Sequence, residues 1–161
     1  MAKHQHSFEF EVFDSGAELD SSARNLLNEA IRATSTAYAP YSGFFVGCAV
    51  LLADGTIVKG SNQENRAFPS GLCAERTALF QVGSLGRYAD IVAIAVRARF
   101  PKSPVEKPIA PCGACRQVMV EAEKLADRKI VVYLQGEIGK ILRINGISGN
   151  LLPFEFDFDF G

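Results

Sequence analysis

The sequence has no strong excess of charge of one sign and no long apolar segment. Its 17 basic and 18 acidic residues leave a formal net charge of −1 at pH 7. Proteins that follow nucleic-acid strands usually carry a basic surface, so this balance argues against a nucleic-acid partner. No apolar run approaches the roughly 20 residues that span a membrane, and residues 1–6 lack the apolar core of a signal peptide. We therefore expect no nucleic-acid partner, no membrane partner and a cytoplasmic location.

Cysteine and histidine are also scarce, with four cysteines and two histidines in 161 residues. Four cysteines in a secreted chain would allow two disulfides. Three of them, however, have the spacing of metal ligands, which leaves Cys48 alone in the apolar run 46–53. This usage favours a reduced protein in which Cys48 is a buried free thiol.

Two short segments contain the residues with the clearest chemical potential. Cys112 and Cys115 lie three residues apart, so both sulfurs can face one metal from the first turn of a helix, and Cys73 would come from a second helix start. Helix N-termini lower thiol pKa values and so favour metal ligation. Three protein ligands are typical of catalytic zinc, which keeps its remaining position for water. The spacing predicts a hydrolytic centre with one Zn²⁺ per chain.

Glu75 and Arg76, which follow Cys73, are suited to assist such a centre. Glu75 points to a different side of the helix from Cys73, so we predict that it transfers protons near the metal rather than ligating it. Arg76, three residues after Cys73, faces the same side as the sulfur and would withdraw negative charge from it.

Other interpretations of these cysteines remain open at this level. A Cys-x-x-Cys pair also occurs in thioredoxin-like redox proteins. A structural zinc site would need a fourth ligand, for which His4, His6 and Cys48 are the candidates. A zinc-stabilised binding domain without catalytic activity is a further alternative.

Several motifs in this order resemble those of the small homotetrameric zinc cytidine deaminases, which belong to the cytidine/deoxycytidylate deaminase superfamily. The resemblance extends from about residue 19 to residue 156. The segments that carry it are residues 41–47, 62–65, 73–78, 112–118 and 151–153. It implies hydrolytic deamination of cytidine and 2′-deoxycytidine to uridine and 2′-deoxyuridine, with release of ammonia, in pyrimidine salvage. In such enzymes zinc activates the water that attacks C4 of cytosine, and a glutamate transfers the protons.

The resemblance also implies roles for further residues. Asn62 and Glu64 match a pair that hydrogen-bonds the ribose 3′-hydroxyl, and Phe44 matches an aromatic residue beside the base. The Ala74 backbone matches the group that reads the amide edge of the base. Phe156 aligns with an aromatic residue from a neighbouring chain, which implies a homotetramer with shared active sites. Blasticidin-S deaminases are the related alternative, but they are not expected to keep the segment of Asn62 and Glu64.

The hydrophobic pattern predicts an α/β fold. Helices are expected at 20–37, 73–82 and 112–125, and strands at 44–53, 56–60, 90–98, 129–135 and 140–144. With the resemblance, this order implies a three-layer α/β/α domain with a five-stranded mixed sheet, over residues 1–161, of which 1–18 form an N-terminal extension.

Both ends of the chain alternate phenylalanine with acidic residues, at 7–13 and 154–160. Pairing the two segments with each other would place acids opposite acids. We expect each to lie on other surface instead, such as a neighbouring subunit, with a frayed terminus as the alternative for the first ten residues.

Overall fold

The computed structural model describes residues 1–157. Within that range, three α-helices and six strands follow one another along the chain. Their bounds are β1 Glu11–Phe13, α1 Ser21–Ala33, β2 Phe45–Leu52, β3 Ile57–Ser61, α2 Ala74–Ser84, β4 Ile91–Arg99, α3 Gly113–Ala126, β5 Val131–Gln135 and β6 Ile141–Asn145.

The six strands form one mixed sheet in the order β1-β6-β5-β4-β2-β3. β4 and β5 are parallel, and every other neighbouring pair is antiparallel. Because β2 runs opposite to both β3 and β4, the carboxyl ends of β3, β4 and β5 lie at the same edge of the sheet. The connection from β3 to β4 contains α2, and the connection from β4 to β5 contains α3. Both helices therefore begin at that edge.

The expected strand count of five was wrong, because the N-terminal segment adds a sixth. β1 pairs antiparallel with β6, and Glu11 lies directly opposite Arg143, to which it is hydrogen-bonded. Opposite charges on facing residues favour such a pair. β1 also covers the edge of β6, which would otherwise present unpaired backbone groups. Residues 7–10 of the predicted strand do not join the sheet.

The predicted helix 20–37 is shorter than expected. Asp20 caps α1 as predicted, since its carboxylate accepts a hydrogen bond from the N–H of Ala23 at 2.8 Å. The α-helix ends at Ala33, however, and a short 3₁₀ turn spans Thr34–Thr36. The Thr34 hydroxyl donates to the carbonyl of Ile31 at 2.7 Å, so a side chain satisfies one of the last carbonyls of the helix.

The helices cover the two faces of the sheet. α1 packs on one face, where Leu26 and Ala30 meet Ala49 of β2 and Ala95 of β4. α2 and α3 pack on the other face, and the core there includes Cys48, Val50, Leu79, Val82 and Met119. Alternate residues of β2 enter the two cores, as the period of a strand requires. The result is three layers, with β4 buried between them as its apolar sequence predicts.

Gly60 allows α2 to lie directly on β3. A Cβ atom at this position would come within 2.4 Å of the Ala78 nitrogen and 2.6 Å of the Ala74 oxygen. A larger residue would push the first turn of α2 away from the sheet. Gly60 therefore sets the distance between β3 and the first turn of α2, which contains Glu75.

The C-terminal segment lies along α3 as far as it is described. Lys124 contacts Glu155 at 3.4 Å and Asp157 at 2.7 Å. Residues 154–157 form no strand, and residues 158–160 of the predicted alternation lie outside the described residues. Among residues 1–157, none of the helices has the length and apolar character needed to cross a bilayer.

Candidate active site

The three cysteines predicted to bind metal come together at the starts of two helices. Cys73 and Cys112 are the N-cap residues of α2 and α3, and both have extended backbone with ψ of 156° and 166°. Cys115 lies in the first turn of α3. The sulfur of Cys112 is 3.8 Å from that of Cys73 and 3.4 Å from that of Cys115, and all three sulfurs lie within 4.8 Å of one another.

This donor set fits one zinc ion. Zn–S bonds of about 2.3 Å in tetrahedral geometry place the sulfurs about 3.8 Å apart, close to the separations found here. Within residues 1–157, no fourth histidine, cysteine or carboxylate joins the group. Cys48 is buried in the core on β2, and the His6 ring is hydrogen-bonded to the Gly149 carbonyl. Three ligands without a fourth are typical of catalytic rather than structural zinc.

Neighbouring hydrogen-bond donors favour the thiolate form of Cys73. One guanidinium nitrogen of Arg76 lies 3.8 Å from the Cys73 sulfur and 3.5 Å from the carbonyl of Gly71. Hydrogen bonds from the Cys115 thiol and from Arg76 lower the pKa of Cys73 to about 5. The thiolate is the form that ligates metal. Arg76 thus faces the same side of α2 as the Cys73 sulfur.

Glu75 is buried next to the three sulfurs. It lies in the first turn of α2, and only 4% of its surface is exposed. Burial raises the pKa of Glu75 above its ordinary value, and the negative charge of Cys73 acts in the same direction. A raised pKa suits a carboxyl group that must both accept and donate a proton near neutral pH.

A cavity of about 500 Å³ opens above this cluster. That volume lies in the range of small-molecule sites. Predicted site residues that line it are Phe44, Asn62, Glu64, Cys73, Ala74, Glu75, Arg76 and Cys112. Phe156 does not line it. This residue is 70% exposed on the outer side of α3, where its backbone N–H and carbonyl are bonded to the side chain of Gln117 at 3.0 and 2.9 Å.

Asn62 and Glu64 lie side by side at the end of β3, opposite the loop that precedes β2. The Asn62 side chain accepts from the N–H of Val46 at 2.8 Å and donates to the carbonyl of Phe44 at 2.9 Å. The Glu64 carboxylate accepts from the N–H groups of Tyr41 at 2.9 Å and Ser42 at 3.3 Å, and from the Ser42 hydroxyl. These contacts lower the pKa of Glu64, with the hydroxyl as the largest cause.

The sequence pattern did not single out every residue of the cavity wall. Ser42, Gln63, Ile109 and Ala110 also line it. Ile109 and Ala110 belong to the loop before α3, in which no periodicity identifies a side chain that faces inward. Ser42 had a usable signal, since a serine before glycine is typical of a turn in which the hydroxyl bonds nearby backbone.

The fold and this cluster of thiols and carboxylate define a zinc-dependent hydrolase. The family model for the cytidine and deoxycytidylate deaminase zinc-binding region matches residues 20–134. A cytidine deaminase of Halalkalibacterium halodurans is 50% identical over 117 residues, which cover 72% of this chain and 83% of that protein. The chain belongs to the cytidine and deoxycytidylate deaminase family.

Solved structures agree with this assignment. The crystal structure of cytidine deaminase from Burkholderia pseudomallei matches with a TM-score of 0.70 and 41% identity, over 82% of this chain and 97% of that one. The cytidine deaminase of Mycobacterium tuberculosis matches with a TM-score of 0.64 and 31% identity, over 86% of this chain and 100% of that one. The mixed sheet with its helices is therefore the fold of cytidine deaminases.

The geometry predicts that zinc content depends on the three clustered thiols and not on the fourth cysteine. Cys115→Ser should reduce the zinc bound per purified chain from about one to well below one half, because a structural or catalytic site loses affinity with each ligand removed. Cys48→Ala is the matched control and should retain the metal. Elemental analysis after dialysis measures both. Equal zinc in the two variants would contradict the assignment of the ligands.

Proposed function

We propose that this protein hydrolyses cytidine and 2′-deoxycytidine to the corresponding uridines and ammonia, as part of pyrimidine salvage. The observation that supports this most directly is the buried carboxylate of Glu75 beside three converging cysteine sulfurs, at the bottom of a cavity of about 500 Å³. The names of the relatives support the same reaction. Cysteines 73, 112 and 115 hold the metal in this proposal.

The zinc ion, when bound, lowers the pKa of a coordinated water. Glu75 accepts a proton from the attacking water and delivers it to N3 of the base. It then carries the second proton of that water, from the hydroxyl now on C4, to the exocyclic amine. The bond between C4 and this amine breaks, which leaves the C4 carbonyl of the uridine and releases ammonia. The burial of Glu75 supports this role because a raised pKa makes the carboxylate a stronger base and keeps more of the carboxyl group protonated near neutral pH, as proton transfer in both directions requires. Arg76 limits the negative charge on the sulfurs, through its contact with Cys73.

The hydrogen-bond capacity left at the end of β3 supports a sugar hydroxyl as the ligand there. Asn62 has one N–H left after its bond to Phe44. Glu64 has about four acceptor positions, of which three are filled. One free donor beside one free acceptor suits a hydroxyl group, which both accepts and donates. This pair also supports a nucleoside substrate over blasticidin S, which carries no ribose hydroxyl of this kind.

The base would lie between the sugar end and the metal. Phe44 contributes an aromatic ring to the cavity wall, next to the ring of Phe100 at a centroid distance of 6.2 Å. Ala74 lines the cavity at the first position of α2, where a backbone N–H has no acceptor within the helix, so its backbone suits the amide edge of the base. Together they suit a planar pyrimidine with its C4 directed toward Glu75.

The first test is ammonia release from cytidine, followed also as the decay of absorbance on conversion to uridine. Cytidine and 2′-deoxycytidine should be turned over, and removal of zinc by a chelator should abolish the activity. Cytosine, CMP and adenosine should react far more slowly. Cytosine lacks the sugar, CMP adds a charged phosphate, and adenosine has a larger base. Preferential turnover of adenosine would contradict the substrate, and no turnover with zinc bound would favour a binding domain.

Glu75→Gln separates the proton transfer from metal binding. The variant should keep its zinc, because Glu75 is not in the sulfur cluster, and should lose about 10²–10⁴-fold or more in kcat, as expected for removal of a general acid–base. Metal analysis and steady-state kinetics on the same preparation measure both quantities. Wild-type turnover in the zinc-loaded variant would exclude the role assigned to Glu75.

We further propose that the chain, over residues 1–161, is one deaminase domain that assembles as a homotetramer in the cytoplasm, with Phe156 reaching the active site of a neighbouring chain. The exposure of Phe156 on the outer side of α3 supports this, since the residue does not contact the cavity of its own chain.

A mixture of two defective chains tests this sharing. Phe156→Ala should lower activity, and Glu75→Gln should abolish it. Co-assembled, the two variants should give more activity than the same amounts assayed apart, because a site with its own Glu75 can receive Phe156 from the partner. Activity equal to the sum of the separate assays, or a monomer in sedimentation analysis, would contradict shared sites.

A further inference from the structure

The Ser42 hydroxyl makes two hydrogen bonds that connect different parts of the cavity wall. Its hydroxyl donates to Oε1 of Glu64 and accepts from the N–H of Phe44 at 3.0 Å. Gly43 lies between Ser42 and Phe44 and has a φ of 65°. This conformation permits the turn that brings the N–H of Phe44 back to the Ser42 hydroxyl. One hydroxyl is thus bonded both to the carboxylate proposed for the sugar and to the backbone of the aromatic residue proposed for the base.

The other contacts of Glu64 leave the Ser42 hydroxyl as the group that fixes Oε1. Oε2 accepts from the N–H groups of Tyr41 and Ser42. No other residue among 1–157 donates to Oε1. Without the hydroxyl, the carboxylate would keep its attachment through Oε2 but could rotate, and water would fill a second position on Oε1.

The charge of Glu64 does not depend on this contact. The hydroxyl lowers the pKa of the carboxyl group. A glutamate with its ordinary pKa is already ionised at neutral pH, so removing the hydroxyl leaves the charge unchanged. Removal of the Ser42 hydroxyl is therefore expected to change the orientation of the Glu64 carboxylate and not its charge.

We propose that Ser42 is a positioning residue, whose hydroxyl holds Glu64 so that one acceptor position is left for the 3′-hydroxyl of the nucleoside. This inference rests on the proposed function, because it assigns a sugar hydroxyl to Glu64. It predicts that Ser42 contributes to selection of the sugar and little to the chemical step at the base.

Ser42→Ala should reduce the preference for cytidine over 3′-deoxycytidine. In the wild type, kcat/KM should favour cytidine. In the variant that ratio should fall about tenfold, the size expected for loss of a hydrogen bond to a charged group, and the loss should come mainly from a raised KM for cytidine. The kcat/KM for 3′-deoxycytidine should change by less than about twofold, because this substrate lacks the 3′-hydroxyl that Glu64 would bind.

Three further variants make the result specific. Ser42→Thr retains a hydroxyl and should restore most of the ratio. Ser70→Ala removes an exposed serine hydroxyl, in the 3₁₀ turn Phe68–Ser70, that has no hydrogen bond within residues 1–157, and should leave the ratio unchanged. In a Glu64→Gln background, Ser42→Ala should cost little more, because the two residues act through one interaction. Melting temperature and zinc content verify that each variant is folded and metal-loaded.

Equal losses for cytidine and 3′-deoxycytidine in Ser42→Ala would overturn the proposal, since they would indicate a general effect on the loop. Fully additive effects of Ser42→Ala and Glu64→Gln would overturn it as well. A wild type that deaminates both nucleosides equally would refute the positioning role and leave the deaminase function intact. If the wild type deaminated neither, the proposed function would fail, and calorimetric binding of the two nucleosides would test Ser42 by the same comparison.

Discussion

The clustering of the three cysteine sulfurs depends on two helices that begin at the same edge of the sheet. β3 and β4 run in the same direction, so α2 and α3 both leave from their carboxyl ends and return across the same face. Each helix start presents unpaired N–H groups and a partial positive charge to the space between them. That field stabilises sulfur in its anionic form at the point where three sulfurs meet. The convergence of the three sulfurs is therefore a consequence of strand direction as much as of cysteine spacing.

The same edge supplies the opposite wall of the cavity. β2 begins where β3 and β4 end, because Phe45 lies opposite Arg99 and Gly47 opposite Ser61. The loop before β2 and the residues after β3 are consequently neighbours, although about 20 residues separate them in sequence. Side-chain contacts from Asn62 to the backbone of this loop join the two. A cavity with acidic, aromatic and thiol groups is thus built from the ends of strands, the starts of helices and the loops between them.

The sequence predicted the cluster better than its surroundings, for a physical reason. Cys112 and Cys115 are one helical turn apart, so their convergence is a local property, and Glu75 is fixed relative to Cys73 by the same helix. The pairing of β1 with β6 is non-local and depends on Glu11 meeting Arg143, which alternation alone does not reveal. The position of Phe156 on α3 likewise depends on the side chain of Gln117. The contacts of Asn62 with backbone had no sequence signal at all.

The burial of Cys48 gives the four thiols two distinct environments. Its sulfur lies in the core beneath α2 with no exposed surface, whereas Cys73 and Cys112 are accessible. A thiol-specific reagent can reach Cys73 and Cys112 in the folded chain once the ion has been removed, whereas Cys115 is buried like Cys48. The reagent can reach the cysteine on β2 only when the core opens. Slow labelling of Cys48, followed separately from that of the buried Cys115, therefore reports the opening equilibrium of the sheet itself, independently of any catalytic measurement.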